Sequence, residues 1–213
     1  AGIRTAPQVE LENESVRGIL DGAIPEDLRA FWAERASGGN CGIGHLAVDL
    51  DRVVNHGLEN ILDELSRLAG QGKQEEQTYR EAMAISLHGI VRWGNRYADA
   101  AEHAAKAETD PTRQAAHWRV AEACRHVPAR PARSLFEGLQ AIALIQLALT
   151  VEGHGMSVSM GLLDRVLAQF VGAAFDVDAV ADLIGAFMLK VTANSVFGRG
   201  SKTQAITIGG ADH

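Results

Sequence analysis

The run from Leu135 to Val151, LFEGLQAIALIQLALTV, is apolar almost all round the helix that it predicts. Such a helix has no face to give to water. It is expected to be buried on every side, so the rest of the chain must pack around it. Its start is marked twice. Pro128 and Pro131 lead in, and Ser134 and Glu137 have the S-x-x-E spacing of a capping box. In that motif the hydroxyl and the carboxylate satisfy free N–H groups of the first turn. At the far end the chain enters Glu152-Gly153-His154-Gly155-Met156-Ser157-Val158-Ser159-Met160-Gly161, which is small, polar and glycine-rich. A polar loop delivered by the most buried element is where substrate-binding groups tend to sit.

The elements that must cover this helix read as follows. Residues 1–23 predict an extended arm with weak helical character. Pro25 and its acidic neighbours suit a short helix through Phe31, Trp32 and Ala33. The glycine-rich stretch Ser37–His45 then breaks it. From Asp49 a strong amphipathic helix begins, with Leu50, Val53, Val54, Leu58, Ile61, Leu62, Leu65 and Leu68 at helical spacing and Gly70 as its cap. A second long helix runs to about Lys106 with a stripe of Tyr79, Met83, Leu87, Ile90, Gly94 and Tyr97. Asp110-Pro111 restarts a helix as N-cap and first-turn proline, and this one ends near His126. After the polar loop, Leu162–Phe175 predicts another helix. Asp178 is expected to cap one more, through Leu183, Ile184, Phe187 and Val191, before a turn at Gly198–Ser201. Gln204–Ile208 is the best strand candidate, closed by Gly209-Gly210. No comparable strand partner is visible upstream of it. A lone terminal strand suggests a fragment of something larger.

Bulk properties exclude several function classes. A chain of 213 residues buries about 70% of its unfolded surface, enough for one sizeable core. The formal net charge of −7 argues against non-specific nucleic-acid binding, which needs a basic footprint. No stretch reaches a membrane span, since Gln146 interrupts the best candidate, and the first residues lack the apolar core of a signal peptide. Cys41 and Cys124 are the only cysteines, so a reducing cytoplasm is the expected location. The eight histidines form no H-E-x-x-H motif and there is no C-x-x-C, so no metal site is expected. Gly155-Met156-Ser157-Val158-Ser159 misses the second glycine of a nucleophile elbow. Gly200-Ser201-Lys202-Thr203 has a serine between glycine and lysine, unlike a phosphate loop, and Gly153-His154-Gly155 lacks the third glycine of a dinucleotide fingerprint.

Three residues remain as candidate substrate ligands. His45 closes a tight glycine-rich stretch, and an imidazole held there can hydrogen-bond a hydroxyl or a carboxylate. A turn histidine that merely caps or packs is the competing account. Ser157 and Ser159 alternate like strand residues, and in an extended segment one is expected to face inward and the other outward. His154 could equally be a buried histidine satisfied by backbone.

The block Trp118–Gln140, with its Arg-His-Val-Pro-Ala-Arg-Pro core, resembles the glycyl radical enzymes, the relatives of pyruvate formate-lyase and the diol dehydratases. The continuation Glu152–Gly161, with Asp164, is similar to that family's E-G-x-G-x-S-x-S-x-G-R-x-D run. Gly44-His45, Asp49, the helix from Val53 and Gln204–Gly210 also match, in the same order, so the resemblance spans roughly Pro25 to Asp212. Leu162 stands where the family usually has arginine.

The resemblance implies a fold that is mostly α with a few β-strands, part of a ten-stranded α/β barrel that is incomplete in this chain. Residues 1–213 would form a single partial domain. It implies a backbone glycyl radical, installed by a partner enzyme that uses S-adenosylmethionine and an iron–sulfur cluster, with no cofactor bound by this chain itself. It also implies a cysteine that abstracts a substrate hydrogen, and a histidine and serine that hold substrate hydroxyls. His45 matches the first of these anchors and Ser157 or Ser159 the second. The family's thiyl cysteine follows the Ile-Thr-Ile-Gly-Gly strand and its radical glycine lies in R-V-x-G-Y. Neither segment is expected within these residues, and Cys41 and Cys124 occupy other positions. Ser195-Val196-Phe197-Gly198-Arg199 has only the V-x-G core. The expectation is therefore the N-terminal portion of a lyase, dehydratase or formate acetyltransferase-like enzyme acting on a small polar substrate, inactive alone. Its partners would be an activating enzyme and, among the assemblies allowed, a second copy. The alternative is a degenerate, non-catalytic helical binding protein derived from that family.

Overall fold

The computed structural model describes residues 45–152, 157–172, 175–193 and 205–209; at 45, 151, 152, 157, 192 and 193 it describes the backbone alone. The arm at 1–23, the helix around Trp32, Cys41, His154 and the turn at 198–201 lie outside the described residues. The elements are β1 (His45–Ala47), α1 (Leu50–Arg67), α2 (Gln74–Ala107), α3 (Pro111–His126), α4 (Leu135–Glu152), β2 (Ser157–Leu162), α5 (Leu163–Leu167), a 3-10 turn (Ala168–Phe170), α6 (Val177–Ala193) and β3 (Ala205–Thr207). The chain is mostly helical, with a small parallel sheet in the order β1-β2-β3. The upstream strand partners that the sequence did not reveal are β1 and β2.

The apolar helix α4 occupies the centre, as its composition requires. Leu135, Leu139, Ala141, Ile142 and Ile145 are buried in one cluster with Leu50, Val53, Val54 and Leu58 of α1, Val158 and Met160 of β2, Leu163 and Leu167 of α5, and Phe187 and Val191 of α6. Gly138 lets α5 approach, since a Cβ there would lie 2.8 Å from Leu167. Gln146, which interrupts the apolar run of α4, is hydrogen-bonded to Thr150 inside the core. Thr150 donates its hydroxyl to the Gln146 carbonyl at 2.8 Å and accepts from the Gln146 amide at 3.2 Å. No helix among the described residues is long and apolar enough to cross a membrane.

The caps explain where most helices begin. Asp110 accepts from Arg113 N–H at 2.9 Å, as expected, and Asp49 caps α1 in the same way, accepting from Arg52 N–H at 3.1 Å. Ser134 accepts from Glu137 N–H at 3.3 Å, but the reciprocal half of the capping box is redirected. The Glu137 carboxylate takes the Arg133 N–H at 2.7 Å together with the Arg133 guanidinium. A charged fork one residue upstream outcompetes the neutral N–H of Ser134. At α6 the cap is Asp176, which accepts from Asp178 and Ala179 N–H at 3.0 and 3.1 Å, rather than Asp178. The helix expected over Leu162–Phe175 is shorter: Leu162 belongs to β2, and helical structure stops at Phe170.

One break was not foreseen. The helix that starts at Asp49 is interrupted at Gly57, which has φ +75° and ψ 163°. The segment 127–132, which leads into α4, docks in the gap. Leu58 and Glu59 donate to the Pro128 and Ala129 carbonyls at 2.9 Å each, and Ala132 donates to the Val54 carbonyl at 2.8 Å. The N–H groups released by the break are thus satisfied from another segment. Of the expected stripe of α2, Gly94 is buried and Leu87 and Ile90 are half-buried against the core, while Tyr79, Met83 and Tyr97 are exposed.

Candidate functional site

The site is built on the three parallel strands. Pairing aligns His45 with Ser157, Leu46 with Val158 and Ala47 with Ser159. Two stretches more than a hundred residues apart in the sequence, each singled out for a polar side chain, are therefore neighbours in register. On β2, Val158 and Met160 are each 1% exposed and face the helices. Alternation puts positions 157 and 159 together on the other face, where Ser159 is half-buried. This corrects the expectation that the two serines face opposite ways. Residues two apart on a strand share a face, and the buried residue between them fixes which one. The pairing of β2 with β3 aligns Ser159 with Ala205 and Gly161 with Ile206, and the register shifts between Ser159 and Gly161. Gly161 takes φ +65°, a left-handed conformation that glycine adopts at little cost.

Asp164 holds the end of the sheet. Its Oδ2 accepts the Gly209 N–H at 2.8 Å, which ties the exit of β3 to the start of α5. That bond, first among the causes, keeps the Asp164 carboxyl below the usual aspartate range. The sequence marked Asp164 only as part of a matching run. Its role is visible only through a contact with a residue 45 positions away.

The entry to α4 carries the strongest charge interaction near the core. Glu137 is only 6% exposed. Burial pushes its carboxyl up, but the Arg133 side-chain and backbone hydrogen bonds outweigh this and hold it below the ordinary glutamate range. The same carboxylate holds the Arg133 guanidinium high. This pair fastens the helix start rather than facing the sheet.

Cys124 of α3 is buried and its thiol is pushed up to about 11 by desolvation, so it stays protonated at neutral pH. That environment is the reverse of the one that activates a thiol. Among the described residues no group of three or more His, Cys, Asp and Glu side chains could hold a metal ion.

Comparison with known proteins gives this arrangement its context. Residues 11–213 match the profile of the pyruvate formate lyase-like family. Isethionate sulfite-lyase of Bilophila wadsworthia is 37% identical over 97 residues, covering 45% of this chain and 12% of that protein. The (2S)-3-sulfopropanediol dehydratase of Klebsiella oxytoca is 23% identical over 192 residues, covering 80% of this chain and 23% of that protein. Among solved structures, a glycyl radical enzyme from Archaeoglobus fulgidus superposes with a TM-score of 0.69 at 25% identity, over 87% of this chain and 27% of that one. A structure of 1,2-propanediol dehydration in Roseburia inulinivorans gives 0.65 at 27% identity, over 70% of this chain and 20% of that one. The chain thus spans about a quarter or less of the length of these relatives. With a profile match over nearly all of its residues, and relatives that are lyases and dehydratases of one kind, the chain belongs to the pyruvate formate lyase-like family of glycyl radical enzymes.

Proposed function

We propose that the chain is the N-terminal portion of a glycyl radical lyase or dehydratase and forms one wall of its substrate pocket. The observation that carries this reading is the strand register that sets His45 beside Ser157, with Ser159 on the sheet face turned away from the helices. In the complete enzyme the three parallel strands would belong to the ten-stranded barrel, and that face would look into it. The His45 imidazole and a serine hydroxyl would then hydrogen-bond the hydroxyl groups of a small polar substrate. Propanediol, sulfopropanediol and isethionate, named for the relatives, set the size and polarity expected.

The radical glycine and the hydrogen-abstracting cysteine would come from G-C-x-E and R-V-x-G-Y segments, which these 213 residues do not contain. An activating enzyme would install the radical on the complete protein. This chain's own residues would bind and orient the substrate and supply no redox step. Asp164 would hold the exit of β3, on the path toward the reacting cysteine, through Gly209. In the cell the whole enzyme would work in the cytoplasm.

The test has two parts. The coding sequence flanking this chain, or that of a partner expressed with it, is expected to encode both segments; finding neither sinks the reading. In the activated complete enzyme, His45→Ala and Ser159→Ala are expected to lower kcat/KM by roughly 10- to 100-fold, the loss of one substrate hydrogen bond each. Unchanged turnover in both removes the assignment of this face.

A further inference from the structure

The irregularity in β2 changes which residues share the sheet face of Ser159. Between two successive pairs, β3 advances one residue, from Ala205 to Ile206, while β2 advances two, from Ser159 to Gly161. Met160 is therefore the extra residue of a β-bulge, and Gly161, at φ +65°, supplies the left-handed step there. One extra residue reverses the alternation beyond it. Without the bulge, Leu162 would stand on the face of Val158 and Met160, in the core. With it, Leu162 pairs with Thr207 and takes that residue's side. The side is fixed by β3. Ile206 packs on the core cluster, so Ala205 and Thr207 stand on the opposite face. That is also the face of Ser159, which pairs with Ala205.

The face is then a short row, with His45 and Ser157 at one end, Ser159 in the middle, and Leu162 with Thr207 at the other end. A strand advances about 3.3 Å per residue, so the Leu162–Thr207 end lies about 7 Å beyond Ser159 along β3. A three-carbon molecule with a hydrogen bond of about 2.8 Å at its end covers that distance. This end offers one hydroxyl and one aliphatic side chain. Just past it stands Asp164, whose carboxyl the Gly209 N–H holds below the usual aspartate range. Arg165, the next residue, already has a partner. Beyond His45, at the far end, no basic residue stands on this face among the described residues. An anionic group placed against Leu162 would lose its hydration, gain no cation and meet the charge of Asp164.

We propose that Leu162 and Thr207 form the specificity end of the substrate face. Thr207 hydrogen-bonds a second substrate hydroxyl, and Leu162 covers an uncharged hydrocarbon end. The substrate class that fits is a short neutral diol, not a hydroxyalkyl sulfonate. The inference rests on the reading of this face as a wall of the substrate pocket and adds its selectivity.

The test uses the complete enzyme before activation, so that ligands bind without turnover. The probes are propane-1,2-diol and isethionate, compared by isothermal titration calorimetry. They are alike in length, and one ends in a methyl group where the other carries a sulfonate. The wild type is expected to bind the diol at least about tenfold more tightly. Leu162→Arg supplies a cation and is expected to shift that ratio at least about tenfold toward isethionate. Leu162→Ala removes the hydrocarbon cover without adding bulk and is expected to narrow the ratio from the diol side. Thr207→Val keeps the shape without the hydroxyl and is expected to weaken diol binding about tenfold, and Thr207→Ser to restore it. A purely structural role would weaken both probes together and leave the ratio where it was. Wild-type binding of isethionate as tight as that of the diol overturns the proposal. So does a ratio unmoved in both Leu162 variants, or full diol binding by Thr207→Val. His45→Ala separates this failure from that of the wall itself. If it weakens both probes while the Leu162 and Thr207 variants change nothing, only the specificity end falls. If it too changes nothing, the wall falls with it.

Discussion

The glycine at position 57 provides the sharpest test of how the chain is held together. An alanine Cβ built there would sit 2.5 Å from the Ala129 carbonyl oxygen and 2.7 Å from the Arg130 backbone. Both atoms belong to the segment docked in the break of α1, so neither can yield as a flexible side chain would. The backbone at φ +75°, ψ 163° is also a conformation open to glycine almost alone. Two costs follow from Gly57→Ala. Strain contributes about 1–3 kcal/mol. Displacing the segment endangers the bonds from Leu58 and Glu59 to the Pro128 and Ala129 carbonyls, at about 0.5–1.5 kcal/mol each. The expected loss is about 4 kcal/mol, the middle of the range these contributions span.

Gly70→Ala separates the two causes. Gly70 has φ +74°, but a Cβ there meets nothing within 4 Å, so only strain of about 1 kcal/mol is expected. Urea unfolding followed by circular dichroism at 222 nm measures both. With a slope of about 2 kcal/mol per molar, Gly57→Ala should lower the midpoint by about 2 M and Gly70→Ala by about 0.5 M, at unchanged slope. A Gly57 variant whose midpoint matches that of the Gly70 variant would refute the docking account, because the clash and the interstrand-like bonds would then contribute nothing.

Three further outcomes follow from the charges and the thiol. Glu137→Gln should cost about 1–3 kcal/mol at neutral pH, since it leaves the Arg133 fork without its charged acceptor. The folded carboxyl lies below its unfolded value, so its contribution is present above the unfolded value and fades as pH falls through the folded one. Melting curves of the two proteins should therefore converge in acid, and a gap independent of pH contradicts the pairing. For Asp164, the Gly209 amide resonance should titrate with a midpoint below the ordinary aspartate value, and Asp164→Asn should abolish that titration; a midpoint at or above the ordinary value counts against the bond. In a Cys41→Ser background, Cys124 should resist iodoacetamide at neutral pH and react only on unfolding, and prompt labelling of the folded chain would contradict its burial.

What the sequence disclosed and what it hid divide along the range of the interactions. The boundaries of α2, α3 and α4 were legible because their causes are local: Asp110 with Pro111, Ser134, and an apolar run too long to solvate. The cap at Asp176 was missed because two aspartates two residues apart offer the same chemistry, and only geometry chooses between them. The break at Gly57 was hidden for a different reason. A glycine inside a well-phased apolar stripe reads as a tolerated weakness, and the segment that makes it necessary lies some seventy residues downstream. Tyr79 and Met83 misled in the opposite sense, since helical spacing says which residues share a face but not that anything covers it.

The sheet is the instructive case, because the candidate residues were legible while their association was not. β1 and β3 are three residues each, too short to show a period of two against neighbouring glycines. Parallel strands of that length gain little from their own ladder, and their order is imposed by what packs on one face. Here the decisive residues are Val158 and Met160, which bury one face of β2 in the core cluster around α4 and so leave positions 157 and 159 on the opposite side. The apolar helix at the centre of the fold therefore also selects the face of β2 that carries the two serine positions. A substitution that let Val158 or Met160 face the other way would move both serines, by the period of the strand, into the core.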